Sequence, residues 1–471
     1  MNKKTASKES IEVLISNIEE KMSNLENTLN WLMSKQWEYC IIGKDSNIMH
    51  FYELYFGATE GIYEALSYQR NILTAESVYE KRFYMQWLNL NLYEWCKYLV
   101  GKDKKGILCR IESLFASDFL CEDKKALLKI INEVMLLGKK CNVSLRKITS
   151  HYDNPLKMYT EISKLDDEDI FFQNASEQIR IYLLIQNIIF KYLKFPDSNT
   201  AYVTIFPQVV NEPFSKSIKK KSELYSKTTA RLKQAWRNLE RDYRICQSMI
   251  NFPKLLRCET HNCSEQFGRI IPAIQLAMEV QFIESDINCV IKSYLNAKTL
   301  LEQSFYLRKI YILQTSMLTQ LYGYNKERYK NSIWYKLTLI PEFQLIEKRH
   351  EIEANLKKYT SHYHSAIRNC GIHLREGFNF NSSLRWNNFR ELSHPIEFVK
   401  ILHLIKICND LKDVMWDLIL KIEKVEKNKR MEKEKQIQDM LGRIKLLSEN
   451  NPDAMAQYNR ICAFLKKLNI V

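Results

Sequence analysis

The chain has 471 residues and a formal net charge of +15, with 70 Lys and Arg against 55 Asp and Glu. Hydrophobic residues make up 46% and aromatics 12%, enough to build buried cores in two or more units and too much for a disordered chain. Only 11 Gly and 9 Pro are present, which leaves little of the turn chemistry that many short strands would need. An all-α fold is expected.

The start, MNKKTASKESIEVL, lacks the apolar centre of a secretion signal. No later window reaches the ~18 apolar residues of a membrane span. A cytoplasmic protein with no membrane partner follows as the expectation. The 12 cysteines show no framework spacing, so they read as reduced thiols.

In chain order, the first strong element runs through Phe83 and Tyr84 to Gly101 and reads as a long buried helix closed by a glycine turn. Next comes SLRKITSHYDNP, with Arg146 and His151 five residues apart. An apolar helix, SEQIRIYLLIQNIIFKYLKF, follows, with Ser176 taken as its cap and Pro196 beyond its end. Pro196, Pro207 and Pro213 then mark a linker.

Beyond the linker the order repeats. Aligning Glu80–Lys104 with Glu302–Lys326 at an offset of 222 gives six identities, including Glu80/Glu302, Tyr84/Tyr306 and Gly101/Gly323. Arg368 and His373, in AIRNCGIHLREG, stand at that same offset from Arg146 and His151. With 9 His in the chain, fewer than one such pair is expected by chance. A second apolar helix follows, capped by Ser393 with Pro395 in its first turn, and after about Leu420 the sequence becomes a charged helix.

The expected organisation is therefore two tandem, pseudo-symmetric helical bundles with a charged helical extension. Residues 1–195 form the first unit, 196–221 the linker, 222–424 the second unit and 425–471 the tail.

The two Arg/His motifs, RKITSH and RNCGIH, resemble the R-x(4–6)-H motif of the HEPN superfamily, helical bundles found in RNA-cleaving toxins, abortive-infection proteins and CRISPR-associated nucleases. The second copy has the usual polar residue, Asn369, after its Arg; the first has Lys147 there, a departure from the pattern. The resemblance implies a metal-independent endoribonuclease needing no cofactor, with Arg146, His151, Arg368 and His373 in one composite site and Asn369 and Lys147 as auxiliaries. It also implies an RNA substrate, an anti-phage or toxin setting and restraint by a regulatory protein or antitoxin. The site would be built within a monomer as an internal pseudo-dimer, or in a homodimer.

The residue types suit that chemistry. A His with an unperturbed pKa of ~6.5 takes or gives a proton at neutral pH, and a planar Arg grips phosphate oxygens with paired hydrogen bonds. On a helix, residues five apart lie ~140° apart around the axis, so each motif presents its pair obliquely and a second copy would complete the ring. A non-catalytic RNA-binding or partner-binding helical module is the rival reading.

Other features carry less. Cys258, His261 and Cys263 lack a clear fourth ligand for zinc. His362 and His364 read as solvated, and His394 as loop chemistry. Lys216 to Arg244 holds ten basic and three acidic residues interleaved with Tyr225, Trp236 and Tyr243, a pattern that suits a phosphate backbone but is commoner on a solvated helix face. No phosphate-binding glycine loop or nucleophile elbow is present.

Overall fold

The computed structural model describes residues 8–42, 48–101, 106–114, 120–141, 165, 167–193, 264–323, 325–361, 394–448 and a few positions between 455 and 463. The protein is all-α, and among the described residues there is no strand.

Helix α1 (Lys8–Ile42) lies along α2 (Ile48–Leu73), which also packs on α3 (Val78–Leu99) and the short α4 (Ile107–Leu114). Helix α5 (Cys121–Lys140) buries Leu127, Ile130, Ile131, Val134 and Leu137, one face at three- and four-residue spacing. That face meets α3 and α6 (Glu168–Phe190), and α6 returns against α2. Inside, Trp95 of α3 meets Tyr182 of α6 edge to face, ring centres 5.8 Å apart.

The second half begins with α7 (Ser264–Asn296) and α8 (Leu300–Leu321), packed on each other. Short helices α9 (Lys326–Asn331) and α10 (Ile333–Thr338) and a 3-10 turn at Pro341–Leu345 lead to α11 (Arg349–Thr360). Helix α12 (His394–Ser448) then covers α7, α8 and α11. It buries Ile401, Leu404, Cys408, Leu411, Met415, Leu418 and Ile422 completely. That alternation of three and four residues is the seam of a packed helix pair.

Two expectations meet the structure differently. Both glycine turns are present, Gly101 at φ 73° and Gly323 at φ 76°, in the left-handed region that favours glycine. Ser176, however, is no cap: α6 starts eight residues earlier, at Glu168, with Asp167 accepting from the Asp169 N–H at 3.2 Å. The acidic first turn, Glu168 and Asp169, suits the positive helix start, and Ser176 lies on the exposed face beyond it. The apolar and charged stretches on either side of Leu420 form one continuous helix, α12. Among the described residues no helix is long and apolar enough to cross a membrane.

Candidate functional site

In the sequence, each Arg/His motif lies between two helices whose packing is described. Helix α5 ends at Lys140, six residues before Arg146, and α6 begins 17 residues after His151. In the second half α11 ends at Thr360, eight residues before Arg368, and α12 begins 21 residues after His373. The frames on both sides are held. Lys140 Nζ pairs with Glu177 Oε2 at 2.5 Å, tying the end of α5 to α6, and Tyr359 near the end of α11 packs on His403 of α12 with ring centres 5.7 Å apart.

Arg146, Lys147, His151, Arg368, Asn369 and His373 lie outside the described residues. So do Cys258, His261, Cys263, His362, His364, the cap candidate Ser393 and the basic stretch from Lys216 to Arg244. Among the described residues no group of three or more His, Cys, Asp or Glu is arranged to hold a metal ion.

What the structure does bring together is the contact between the two halves, formed where α2 and α3 meet α7 and α8. It begins at two helix starts. Ser77 caps α3 by accepting from the Glu80 N–H at 3.1 Å, and the Glu80 carboxylate accepts in turn from the Glu76 N–H at 2.7 Å. Thr299 caps α8 in the same way, accepting from the Glu302 N–H at 3.1 Å, while Glu302 accepts from the Lys298 N–H at 2.8 Å. The Ser/Thr-x-x-Glu pattern makes both boxes, and a cap of this kind contributes about 1 kcal/mol.

The two capping carboxylates also reach across to the opposite half. Lys292 Nζ of α7 donates to Glu80 Oε2 at 3.1 Å. Arg70 of α2 pairs with Glu302. One turn further along, Tyr84 bonds Ser293 and donates to the Cys289 carbonyl at 2.8 Å. Its counterpart Tyr306 accepts from Arg70 and from the Asn71 amide, each at 2.9 Å. Arg70/Lys292, Asn71/Ser293, Glu80/Glu302 and Tyr84/Tyr306 are all separated by 222 residues. A contact of i with j + 222 is thus matched by one of j with i + 222, the reciprocity that a two-fold axis imposes on like surfaces.

Nearer the middle the two sides differ. Arg308 of α8, fully buried, pairs with Glu60 at 2.5 Å and with Glu64, both on α2. Lys309 Nζ lies 3.6 Å from Glu64 and 5.3 Å from the centre of the Trp87 ring. Glu64 also accepts from Asn91 and from the Trp95 indole N–H at 3.1 Å. On the other side, Asp286 of α7 accepts from the Tyr79 hydroxyl at 2.6 Å, and Phe282 stacks on the Tyr79 ring.

Burial sets the protonation of this contact. It pushes the Glu80 carboxyl up to about 7, against the pull of Lys292 and of the Glu76 N–H. It pushes the Tyr306 hydroxyl up to about 12 despite Arg70, and it raises Glu26 of α1. Glu26 bridges the halves as well, accepting from Tyr63 at 2.7 Å and from Thr299 at 2.8 Å.

Sequence reasoning identified Glu80/Glu302 and Tyr84/Tyr306 as repeats and missed their role as cross-contacts. It missed Arg70, Lys292, Glu60, Glu64, Arg308 and Lys309 altogether. The available signal was the charge kept at the 222 offset by Arg70/Lys292 and Glu64/Asp286; Glu60, Arg308 and Lys309 correspond to Phe282, Gln86 and Trp87 and carried none.

No family model, no curated protein and no solved structure matches the chain.

Proposed function

We propose that the chain is a tandem duplication of one helical unit and acts as a metal-independent endoribonuclease. One composite site would use Arg146 and His151 from the first half with Arg368 and His373 from the second. The observation that carries this reading is the single offset of 222. It relates the two motifs in the sequence, and it also relates Ser77 to Thr299, Gly101 to Gly323 and both members of each reciprocal contact between the halves.

In this mechanism one His removes the proton from a ribose 2′-hydroxyl, and the oxygen attacks the adjacent phosphorus. The bond to the 5′-oxygen breaks as the other His donates a proton to that leaving group. The products are a 2′,3′-cyclic phosphate and a 5′-hydroxyl. The two Arg side chains clamp the phosphate oxygens and offset the charge that develops on them. Asn369 and Lys147, each next to its Arg, serve as auxiliary contacts to the phosphate. The net charge of +15 favours a polyanionic substrate through counterion release. A chain that cuts cellular RNA in an anti-phage or toxin role requires restraint, supplied by a regulator or antitoxin or by an inactive resting geometry.

Incubation with total RNA in the presence of a chelator tests the proposal, comparing the parent with His151→Ala and His373→Ala. Loss of cleavage in both single variants supports one shared site. Cleavage that requires Mg²⁺, or that survives in both variants, overturns it and leaves the non-catalytic RNA-binding module.

A further inference from the structure

The contact between the halves keeps the reciprocal latches at its ends but not at its centre, where three of four equivalent pairs have diverged in charge. Glu60 and Glu64 of α2 have Phe282 and Asp286 as counterparts in α7. Gln86 and Trp87 of α3 have Arg308 and Lys309 as counterparts in α8. All of these positions are buried. Lys309 lies over the ring of its own counterpart, Trp87, so this pair sits where a two-fold relation between the halves would have its axis.

We infer that these central charges make the surface selective for its unlike half: the α2/α3 face accepts the α7/α8 face and rejects a second copy of itself. As folded, two carboxylates meet two cations, with Arg308 between Glu60 and Glu64 and Lys309 beside Glu64. A pairing of two first halves would put Glu60 and Glu64 of each against Gln86 and Trp87 of the other, leaving four buried carboxylates without a cation. A pairing of two second halves would put Arg308 and Lys309 of each against Phe282 and Asp286 of the other, leaving two buried cations in excess. A buried charge that loses its partner destabilises far more than the intact pair stabilises, so both wrong pairings are excluded while the latches at the ends stay neutral to the choice. The partner this surface fits is therefore the other half of the chain. The inference rests on the duplication read from the 222 offset and not on any activity toward RNA.

The wrong pairings can be imitated inside the full-length chain. Arg308→Met with Lys309→Met leaves the acids facing uncharged side chains, as two first halves would. Glu60→Gln with Glu64→Gln leaves the cations unbalanced, as two second halves would. The four-fold variant has neither imbalance and keeps the side-chain volumes close to the original. Thermal unfolding should show each two-residue variant lowered by roughly 5 to 10 °C, with the four-fold variant recovering at least half of the larger loss. Should a two-residue variant give no soluble protein, recovery of soluble full-length chain in the four-fold variant reads the same result. The inference is overturned by a two-residue variant as stable as the parent, by a four-fold loss equal to the sum of the two, or by a four-fold variant that is itself insoluble. None of these readouts involves RNA, so their failure is separate from failure of the ribonuclease proposal.

Discussion

Lys292 Nζ lies 3.1 Å from Glu80 Oε2, and the residues 222 positions away from each, Arg70 and Glu302, also form an ion pair, with the basic and acidic roles exchanged between the halves. Both acids also stand in the first turns of the helices capped by Ser77 and Thr299. The attachment of one half to the other thus includes the first turns of α3 and α8.

Glu80 gives the contact a pH dependence. Its folded pKa is raised from the ordinary value of 4.5 to about 7 by burial. The folded state thus holds the proton more tightly than the unfolded chain, and this contribution is fully present below 4.5 and lost as pH rises through about 7. At the upper limit it amounts to a few kcal/mol. Melting temperatures from pH 5 to 8 should fall more steeply for the parent than for Glu80→Gln. Parallel curves for the two proteins would show that Glu80 titrates normally.

The tyrosine pair should be energetically tied to its cross-half partners. Tyr306→Phe takes an acceptor from both Arg70 and Asn71, and Tyr84→Phe takes a donor from the Cys289 carbonyl. Each should lower stability by about 1 to 3 kcal/mol, the range for a buried group left unsatisfied. Combining Tyr306→Phe with Asn71→Ala should destabilise less than the sum of the single changes. Denaturant unfolding measures this, and strict additivity would mean that the hydroxyl and the amide act independently.

Gly323 is a sensitive glycine turn to test. An added Cβ would lie 2.4 Å from the Tyr329 backbone nitrogen, at a φ of 76°. Gly323→Ala should therefore lower stability by more than the ~1 kcal/mol of a strained backbone alone. Thermal melts of the variant and the parent measure this, and a melting temperature equal to the parent's would show that the turn accommodates a side chain.

For the proposed site, Arg146→Lys and Arg368→Lys separate charge from geometry. Lysine keeps the charge but loses the planar fork, so each should reduce the cleavage rate about 10- to 100-fold while RNA binding changes little. Rates and binding measured on one RNA decide it. Rates equal to the parent's would reduce the arginines to a general attractive charge.

The fold was legible in the sequence wherever the information is local. The helix from Phe83 to the Gly101 turn and its second copy could be read because one turn of backbone and one apolar face specify them. The start of α6 was misread because its first turns, Glu168 to Asn174, carry acids and amides along with Phe171 and Phe172, whereas the stretch after Ser176 is richer in Ile, Leu and Tyr. Likewise a change from apolar to charged composition near Leu420 does not mark the end of the helix: α12 runs through it to Ser448, with no Pro after its first turn and with Gly442 inside it. The contacts between halves could not be read at all, because the sequence says which residues are equivalent and only packing says which of them meet. For the motif residues themselves, the offset of Arg146/His151 and Arg368/His373 is the legible part.

Because Glu80 and Glu302 bind the backbone at their own helix starts and the opposing half with the same carboxylate, initiation and docking share an anchor. Slip either helix by one residue and its acid swings some 100° around the axis, away from the opposing base. Assembly of the molecule thereby proofreads the threading of both segments, and an insertion of a single amino acid between Ser77 and Glu80, or between Thr299 and Glu302, would be felt across the whole joint.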